Sequence, residues 1–192
     1  MLSFLLRFRQ YGLIAALPAS LSGLFGCSPA DKPTDPALPA SAVLITRNDF
    51  EAVAGWGGAG VPASISTDQA HSGRYSVRAG RGIEYAYGYS MPLRLALPAR
   101  PTRLHLKGWF YRAARGETGA LVINVVRPSN QQTLFYESVS LAELRANRWV
   151  THSAEVALPD SVTSLDVLNV FLWSAGSAEP IFLDDLEVTA IP

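Results

Sequence analysis

Aromatic side chains recur at strand-like spacing in several parts of this sequence, close to polar side chains. Tyr85, Tyr87 and Tyr89 alternate with other residues, so a strand over 83–90 would place three rings on one face, ~6.6–7 Å apart. Further candidate contacts on neighbouring strands are Trp109, Trp173, Asn169 and His105. Such rings can stack on the apolar faces of successive sugar units, while the polar groups bind hydroxyls. The alternative is that these rings belong to the core, with only the tyrosine hydroxyls reaching water.

A carboxylate interrupts the apolar pattern near the end of the chain. Strict alternation puts Asp184 on the same face as Phe182, Leu186 and Val188, the face expected to meet the core. A buried carboxylate without a partner is costly, so Asp184 must accept hydrogen bonds, be protonated or bind a cation. Two readings stay open: it caps backbone N–H groups at a strand end, or it helps to hold a metal ion.

Catalytic motifs are sparse. The sequence has no His-Glu-x-x-His, P-loop or dinucleotide fingerprint, and its three histidines have no metal-ligand spacing. The nearest pair of carboxyl groups, Asp185 and Glu187, falls on the expected closing strand rather than across a cleft. We therefore expect no enzymatic activity; a small hydrolase or lyase is the third reading, behind two binding functions.

Composition narrows the class of protein. The 192 residues include 48% hydrophobic and 17% charged residues, which is enough apolar material for one domain with a core. Lys plus Arg equals Asp plus Glu, at 16 each, so a nucleic-acid partner is not expected. A single cysteine excludes a disulfide framework and a zinc site with several cysteines.

The first 26 residues have the features of a secretory signal. Arg7 and Arg9 precede a short apolar stretch, and 1–26 contains no acidic residue. The apolar stretch is shorter than the ~20 residues that cross a bilayer. The motif Leu-Phe-Gly-Cys, which ends at Cys27, resembles the lipobox of bacterial lipoproteins. The resemblance implies cleavage before Cys27 and attachment of lipid, including palmitate, to Cys27. The alternative is an ordinary signal peptide with an incidental cysteine.

The segment 27–40 is expected to be a lipid-bearing cysteine followed by a linker. Four prolines within it favour an extended spacer. Ser28 follows the cysteine, where an Asp would favour retention in the inner membrane, so we expect attachment to the bacterial outer membrane.

From residue 41 to residue 192 the apolar pattern has a period of two, which predicts short strands. Turn residues separate them, and the only helix expected is one turn near 141–146. Some ten strands without crossover helices predict an all-β fold, an antiparallel β-sandwich. The strands are predicted at 42–47, 64–68, 75–79, 83–90, 104–111, 120–127, 132–139, 148–157, 168–173 and 180–189.

Four motifs in order carry a family resemblance. They are Asn48-Asp49-Phe50-Glu51 followed by Trp56, then His71-Ser72-Gly73-Arg74-Tyr75-Ser76-Val77, then Arg148-Trp149-Val150, and finally Ile181-Phe182-Leu183-Asp184-Asp185-Leu186-Glu187-Val188. This series resembles the jelly-roll carbohydrate-binding modules and their galactose-binding-like relatives. The resemblance implies a jelly roll over nearly the whole domain.

The same resemblance implies a structural Ca²⁺. Its ligands would be Asp184, acidic groups of Asp49 and Glu51, and main-chain carbonyls of the turn at 71–74. Hard oxygen ligands from separate segments suit this ion.

Two functions follow as hypotheses. The first is a non-catalytic carbohydrate-binding module of a lipid-anchored envelope lipoprotein, with a glycan or polysaccharide as its ligand. The second is a structural or protein-interaction lipoprotein of the outer membrane that uses the same sandwich to contact an envelope protein.

Overall fold

The computed structural model describes residues 37–52, 63–115 and 118–192. The expected signal segment, Cys27 and Trp56 lie outside these ranges. The described part contains ten strands and one short helix, and none of its helices is long and apolar enough to cross a membrane. The elements are β1 (Val43–Asn48), β2 (Ile65–Ser66), β3 (Ser76–Ala79), β4 (Tyr89–Pro92), α1 (Leu93–Ala96), β5 (Arg103–Arg112), β6 (Ala120–Arg127), β7 (Gln132–Ser140), β8 (Trp149–Ala157), β9 (Val167–Trp173) and β10 (Ile181–Ile191).

The strands form two antiparallel sheets. The six-stranded sheet has the order β2-β3-β10-β5-β8, with β1 also paired to β10, and the four-stranded sheet has the order β4-β9-β6-β7. All the pairings are antiparallel. The predicted all-β antiparallel sandwich is therefore confirmed.

Alternating side chains build the core between the sheets. β6 is rich in β-branched residues, which favour strands, and it buries Leu121, Ile123 and Val125. From the other sheet, Leu104 and Leu106 of β5 enter the same cluster. The residues between them on each strand face outward, so each sheet has one outer face available for contacts.

A β-bulge in β10 reverses which residues face the core. The register against β5 shifts between Asp184 and Glu187, and Asp185 has a φ of 48°. Leu183 before the bulge and Leu186 after it both enter the core, whereas Asp184 lies opposite Trp109 on the outer face. The strict alternation assumed from the sequence is therefore wrong at this point, because a bulge adds a residue to one strand.

The predicted strand over 83–90 is also interrupted. Residues 84–88 are irregular apart from a bridge between Tyr85 and Trp173, and β4 begins only at Tyr89. Gly88 passes so close to β9 that a Cβ there would lie 2.3 Å from the Val170 carbonyl oxygen. The turn predicted as a helix at 141–146 contains no helix, and the single helical turn follows β4 instead.

Each sheet has an edge strand on this side of the sandwich, β7 in the four-stranded sheet and β8 in the six-stranded sheet. Phe135 and Val139 of β7 and Val156 of β8 line an opening between these edges. Glu137 also lines it. It pairs with Ile123, a core residue, so its side chain lies on the inward side of an edge strand.

Candidate functional site

The outer face of the four-stranded sheet, which we call the open face, carries exposed rings and amides. β9 directs Leu168, Val170 and Leu172 into the core, and the residues that alternate with them point outward. The register places β6 and β7 side chains beside them. The members of the open face are Tyr85, Ser90, Asn124, Tyr136, Asn169, Phe171 and Trp173.

Three rings form one cluster on this face. The Tyr85 and Trp173 rings are nearly parallel, at 15°, with centroids 6.4 Å apart. Phe171 meets Tyr85 edge to face, with centroids 5.8 Å apart. Tyr85 keeps 57% of its surface exposed, so the cluster presents apolar ring surface to solvent.

A row of hydrogen bonds runs across three strands beside the rings. The Ser90 hydroxyl donates to Asn169 Oδ1 at 2.7 Å, and Asn169 Nδ2 donates to Asn124 Oδ1 at 2.7 Å. These bonds fix the orientation of both amides. The row ends on the Asn124 side chain, whose NH₂ group has no hydrogen bond to another described residue, so it is a donor available to a ligand.

A cavity of about 400 Å³ adjoins the cluster between the rings and the amide row. Tyr85, Tyr89, Ser90, Asn169 and Phe171 contribute to its walls. This places apolar ring surface and amide groups around one concave space, the combination typical of small-ligand sites.

The Tyr85 phenol lies beside the Glu84 carboxyl group. A hydrogen bond with the Glu84 side chain raises the pKa of the Tyr85 phenol above 10.0, with smaller contributions from desolvation and from the charges of Glu84 and Tyr136. The phenol therefore stays protonated at neutral pH.

The outer face of the six-stranded sheet around Trp109, which we call the covered face, is organised differently. The His71 ring stacks on Trp109, with centroids 3.8 Å apart and an angle of 12°. Trp149 meets both His71 and Tyr111, and Tyr111 meets Phe182. The rings on this face contact one another and the turn at 71–75.

Asp184 fastens that turn to the sheet. It is fully buried, and its carboxylate accepts hydrogen bonds from the backbone N–H groups of His71, Ser72 and Asp185 at 2.7, 3.1 and 2.8 Å. Burial raises the pKa of Asp184 above 3.8. The three N–H groups lower this pKa and the charge of the neighbouring Asp185 raises it, but burial has the largest effect. These contacts match the first interpretation of Asp184, in which its carboxylate caps backbone N–H groups.

Glu51 holds the other half of the turn. Its Oε1 accepts hydrogen bonds from the backbone N–H groups of Arg74 and Tyr75, each at 2.6 Å, while Asp49 accepts one from the Glu51 N–H at 3.2 Å. The turn thus presents N–H donors, not carbonyl oxygens, to both carboxylates.

These contacts do not fit the calcium site that the resemblance implies. The oxygens of Asp184 and Glu51 accept N–H groups where an ion would need them as ligands. Within 37–52, 63–115 and 118–192, no group of three or more His, Cys, Asp or Glu side chains is arranged to hold a metal ion. Calcium therefore stays a prediction, and no function is derived through it.

Solved structures share this arrangement of sheets. The C-terminal family 22 carbohydrate-binding module of Clostridium thermocellum Xyn10B gives a TM-score of 0.52 at 17% identity, over 81% of this chain and 96% of that one. The CBM22-2 xylan-binding domain of Paenibacillus barcinonensis Xyn10C gives 0.51 at 17% identity, over 76% and 99%. The fold is that of a jelly-roll carbohydrate-binding module. No protein-family model and no curated protein matches the sequence.

Within this carbohydrate-binding-module fold, the predicted contacts do not all lie together. Tyr85, Asn169 and Trp173 meet on the open face. Tyr89 is only 4% exposed and belongs to the core, so the expected row of three exposed tyrosines is wrong. Tyr87 is partly buried and packs against the core.

Trp109 and His105 lie on the opposite side of the sandwich from Trp173. Both belong to β5 of the six-stranded sheet, and His105 is only 8% exposed between Thr189 and Glu155. The single platform expected from sequence is therefore divided. Sequence reasoning missed Tyr136 and Ser90 as neighbours of this site, because only the strand register brings them beside the amide row.

Proposed function

We propose that this domain is a non-catalytic carbohydrate-binding module that binds a polysaccharide on the open face. One observation carries the proposal: the parallel Tyr85 and Trp173 rings lie on the same face as the hydrogen-bonded row Ser90–Asn169–Asn124. Ring surface and oriented amides together match the apolar face and the hydroxyl edge of a sugar. The fold shared with xylan-binding modules supports the same function.

Binding would combine stacking and hydrogen bonds. The apolar face of one sugar unit lies against Tyr85 or Trp173, and the amide of Asn124 donates to a hydroxyl. Because the face is open and hydroxyls must lose water, affinity is expected to be modest. Among the described members of this face and their neighbours, Glu84 is the carboxyl group beside the rings, whereas glycoside hydrolysis uses two. This supports a binding function without catalysis.

The test is isothermal titration calorimetry, in which soluble xylan is titrated into the wild-type protein and into single variants and the affinity is measured. Trp173→Ala is expected to weaken binding about tenfold or more, which corresponds to about 1.4 kcal/mol, because truncation of a tryptophan at the centre of a binding surface commonly costs more than about 1 kcal/mol. Trp109→Ala removes the same residue type from the covered face and should leave affinity unchanged. Thermal melting checks that both variants fold. Equal affinity of Trp173→Ala and wild type would place the ligand elsewhere.

We also propose that the domain is anchored by lipid on Cys27 in the bacterial outer membrane. The support is the sequence: the signal-like residues 1–26, the Leu-Phe-Gly-Cys motif and the proline-rich linker. Wild-type protein expressed in a bacterium should incorporate labelled palmitate and partition into detergent. Cys27→Ser should do neither; labelling that persists in this variant would contradict the anchor.

The alternative function is a contact with an envelope protein through the same face. Tyr85 and Tyr136 are 57% and 53% exposed, and tyrosine is also common at the centres of protein interfaces. Two results together would favour this function over the first. A broad glycan array would not retain the wild-type protein, and a protein that co-purifies with the wild type would be lost in Tyr85→Ala.

A further inference from the structure

Four arginines surround one cavity at an end of the sandwich. The cavity has a volume of about 590 Å³. We call it the arginine pocket. Its charged lining residues are Arg112, Arg115, Arg145, Arg148 and Glu143.

Two loops build this pocket, one after β5 and one between β7 and β8. Arg112 is 3% exposed, and its Nη1 donates to the carbonyl oxygens of Ala142 and Leu144, the latter at 2.7 Å. The Asn147 N–H donates to the Arg112 carbonyl at 2.8 Å. A buried guanidinium thus fixes the loop that carries Arg145 and the residues around it.

The charge of the pocket is not balanced by its own residues. Arg115, Arg145 and Arg148 are exposed, and within the described part of the chain none of them forms a salt bridge. By contrast, Arg47 and Arg103 pair with glutamates. Guanidinium groups bind carboxylates in a forked geometry with charge-assisted hydrogen bonds. The pocket therefore suits an anion, and specifically a planar carboxylate.

The pocket lies at the same end of the sandwich as the ring cluster. Trp173 pairs with Ala120, and Ala120 pairs with Ser140. The loop of the pocket starts at the next residue, Leu141. Two strand spacings separate Trp173 from Ser140, or about 10 Å. A polymer that crosses the open face at Trp173 and continues over β6 and β7 therefore reaches the start of the loop that carries Arg145.

We infer that the polysaccharide bound by this domain is acidic, and that the arginine pocket binds a uronic acid carboxylate next to the sugar stacked on Tyr85 and Trp173. This inference rests on the proposed function, which it deepens by naming the class of glycan. The rings supply contacts that any sugar can use, and the arginines add the preference for charge.

The experiment compares polygalacturonate with the same polymer after methyl esterification of its carboxyl groups. The full chain is expected to bind the acidic polymer about tenfold more tightly, which corresponds to 1.4 kcal/mol, and added salt should shrink this preference. The double variant Arg145→Gln/Arg148→Gln should lose it. Arg47→Gln/Arg94→Gln removes the same charge away from the pocket and should keep it.

The outcomes separate the two proposals. The inference is overturned, and the proposed function left intact, if the wild type binds the two polymers equally well. The same holds if both double variants lose the preference for the acidic polymer to the same extent. A preference that depends on Arg145 and Arg148 but survives Tyr85→Ala and Trp173→Ala supports the pocket and contradicts the ring site. Binding of neither polymer, or binding of anionic vesicles in their place, overturns the inference.

Discussion

The two outer faces of this sandwich carry similar residues in opposite situations. On the open face, Tyr85 and Trp173 stack with one side toward solvent. On the covered face, His71 lies flat on Trp109 at 3.8 Å, and Asp184 ties the backbone of that turn to the sheet. Aromatic content alone therefore does not identify a binding face. What distinguishes the faces is whether a turn occupies the surface of the rings.

The comparison also assigns different tasks to polar groups. The amides of the open face bond to one another and still have a donor left for a ligand. The carboxylates of Asp184 and Glu51 accept backbone N–H groups. One face is arranged for contact with a ligand, the other for holding the chain. Three measurements test this division, and a fourth tests a buried histidine elsewhere in the sandwich.

The largest effect is expected from two tyrosines only four residues apart. Tyr89→Ala should lower the free energy of unfolding by about 3–5 kcal/mol, because a large buried ring is lost from the core. Tyr85→Ala should change it by no more than about 0.5 kcal/mol, while weakening glycan binding. Urea denaturation measures both. A similar loss of stability in the two variants would mean that Tyr85 is structural and would remove the basis of the open face.

Asp184→Asn should destabilise the protein by about 2–4 kcal/mol, because hydrogen bonds to a charged acceptor are each worth about 1.5–3 kcal/mol. Xylan affinity should not change, since the residue lies on the other face. Asp160→Asn is the control, with a fully exposed side chain. If Asp184→Asn has the same melting temperature as Asp160→Asn and the wild type, the turn is held by contacts other than the Asp184 carboxylate.

A smaller effect is expected from His152, which lies against Phe110 in an edge-to-face contact. Burial lowers the pKa of His152 below 6.5. The unfolded chain therefore binds the proton first, and the free energy of unfolding should fall as the pH drops below 6.5. Denaturation at several pH values should show a flatter profile for His152→Asn. An unchanged profile would indicate that other groups dominate this range.

The smallest expected effect is that of a chelator. Because backbone N–H groups occupy the carboxylates of Asp184 and Glu51, EDTA should leave the melting temperature unchanged. A ligand bound only by the folded state must raise stability. A fall of several degrees that added Ca²⁺ reverses would support the calcium prediction and require another arrangement of the turn.

Sequence reasoning succeeded where alternation was uninterrupted. β5 and β9 alternate without a break, and the inward positions of Leu106 and Val170 follow directly from their pattern. These strands fix the sandwich and the outward direction of Asn169 and Trp173. The fold and half of the candidate site were therefore accessible from sequence.

Two of the failures share one physical cause. A single extra residue moves every following side chain to the other face. The bulge at Asp185 does this in β10, and the irregular residues before Gly88 do it between Tyr85 and Tyr89. Neither irregularity leaves a clear mark on the apolar pattern. The turn at 71–75, which is distant in sequence, also decides which ring cluster stays exposed. The apolar pattern of a single strand contains no information about that turn.

The position of Glu137 has a consequence for how copies of this domain behave beside one another. Both sheets end in unpaired strands, and such edges can recruit a strand from another molecule. Glu137 projects into the gap between β7 and β8. A neighbour that extended either sheet there would have to desolvate negative charge. Pairing of a second copy with β7 or β8 is therefore disfavoured at this pair of edges.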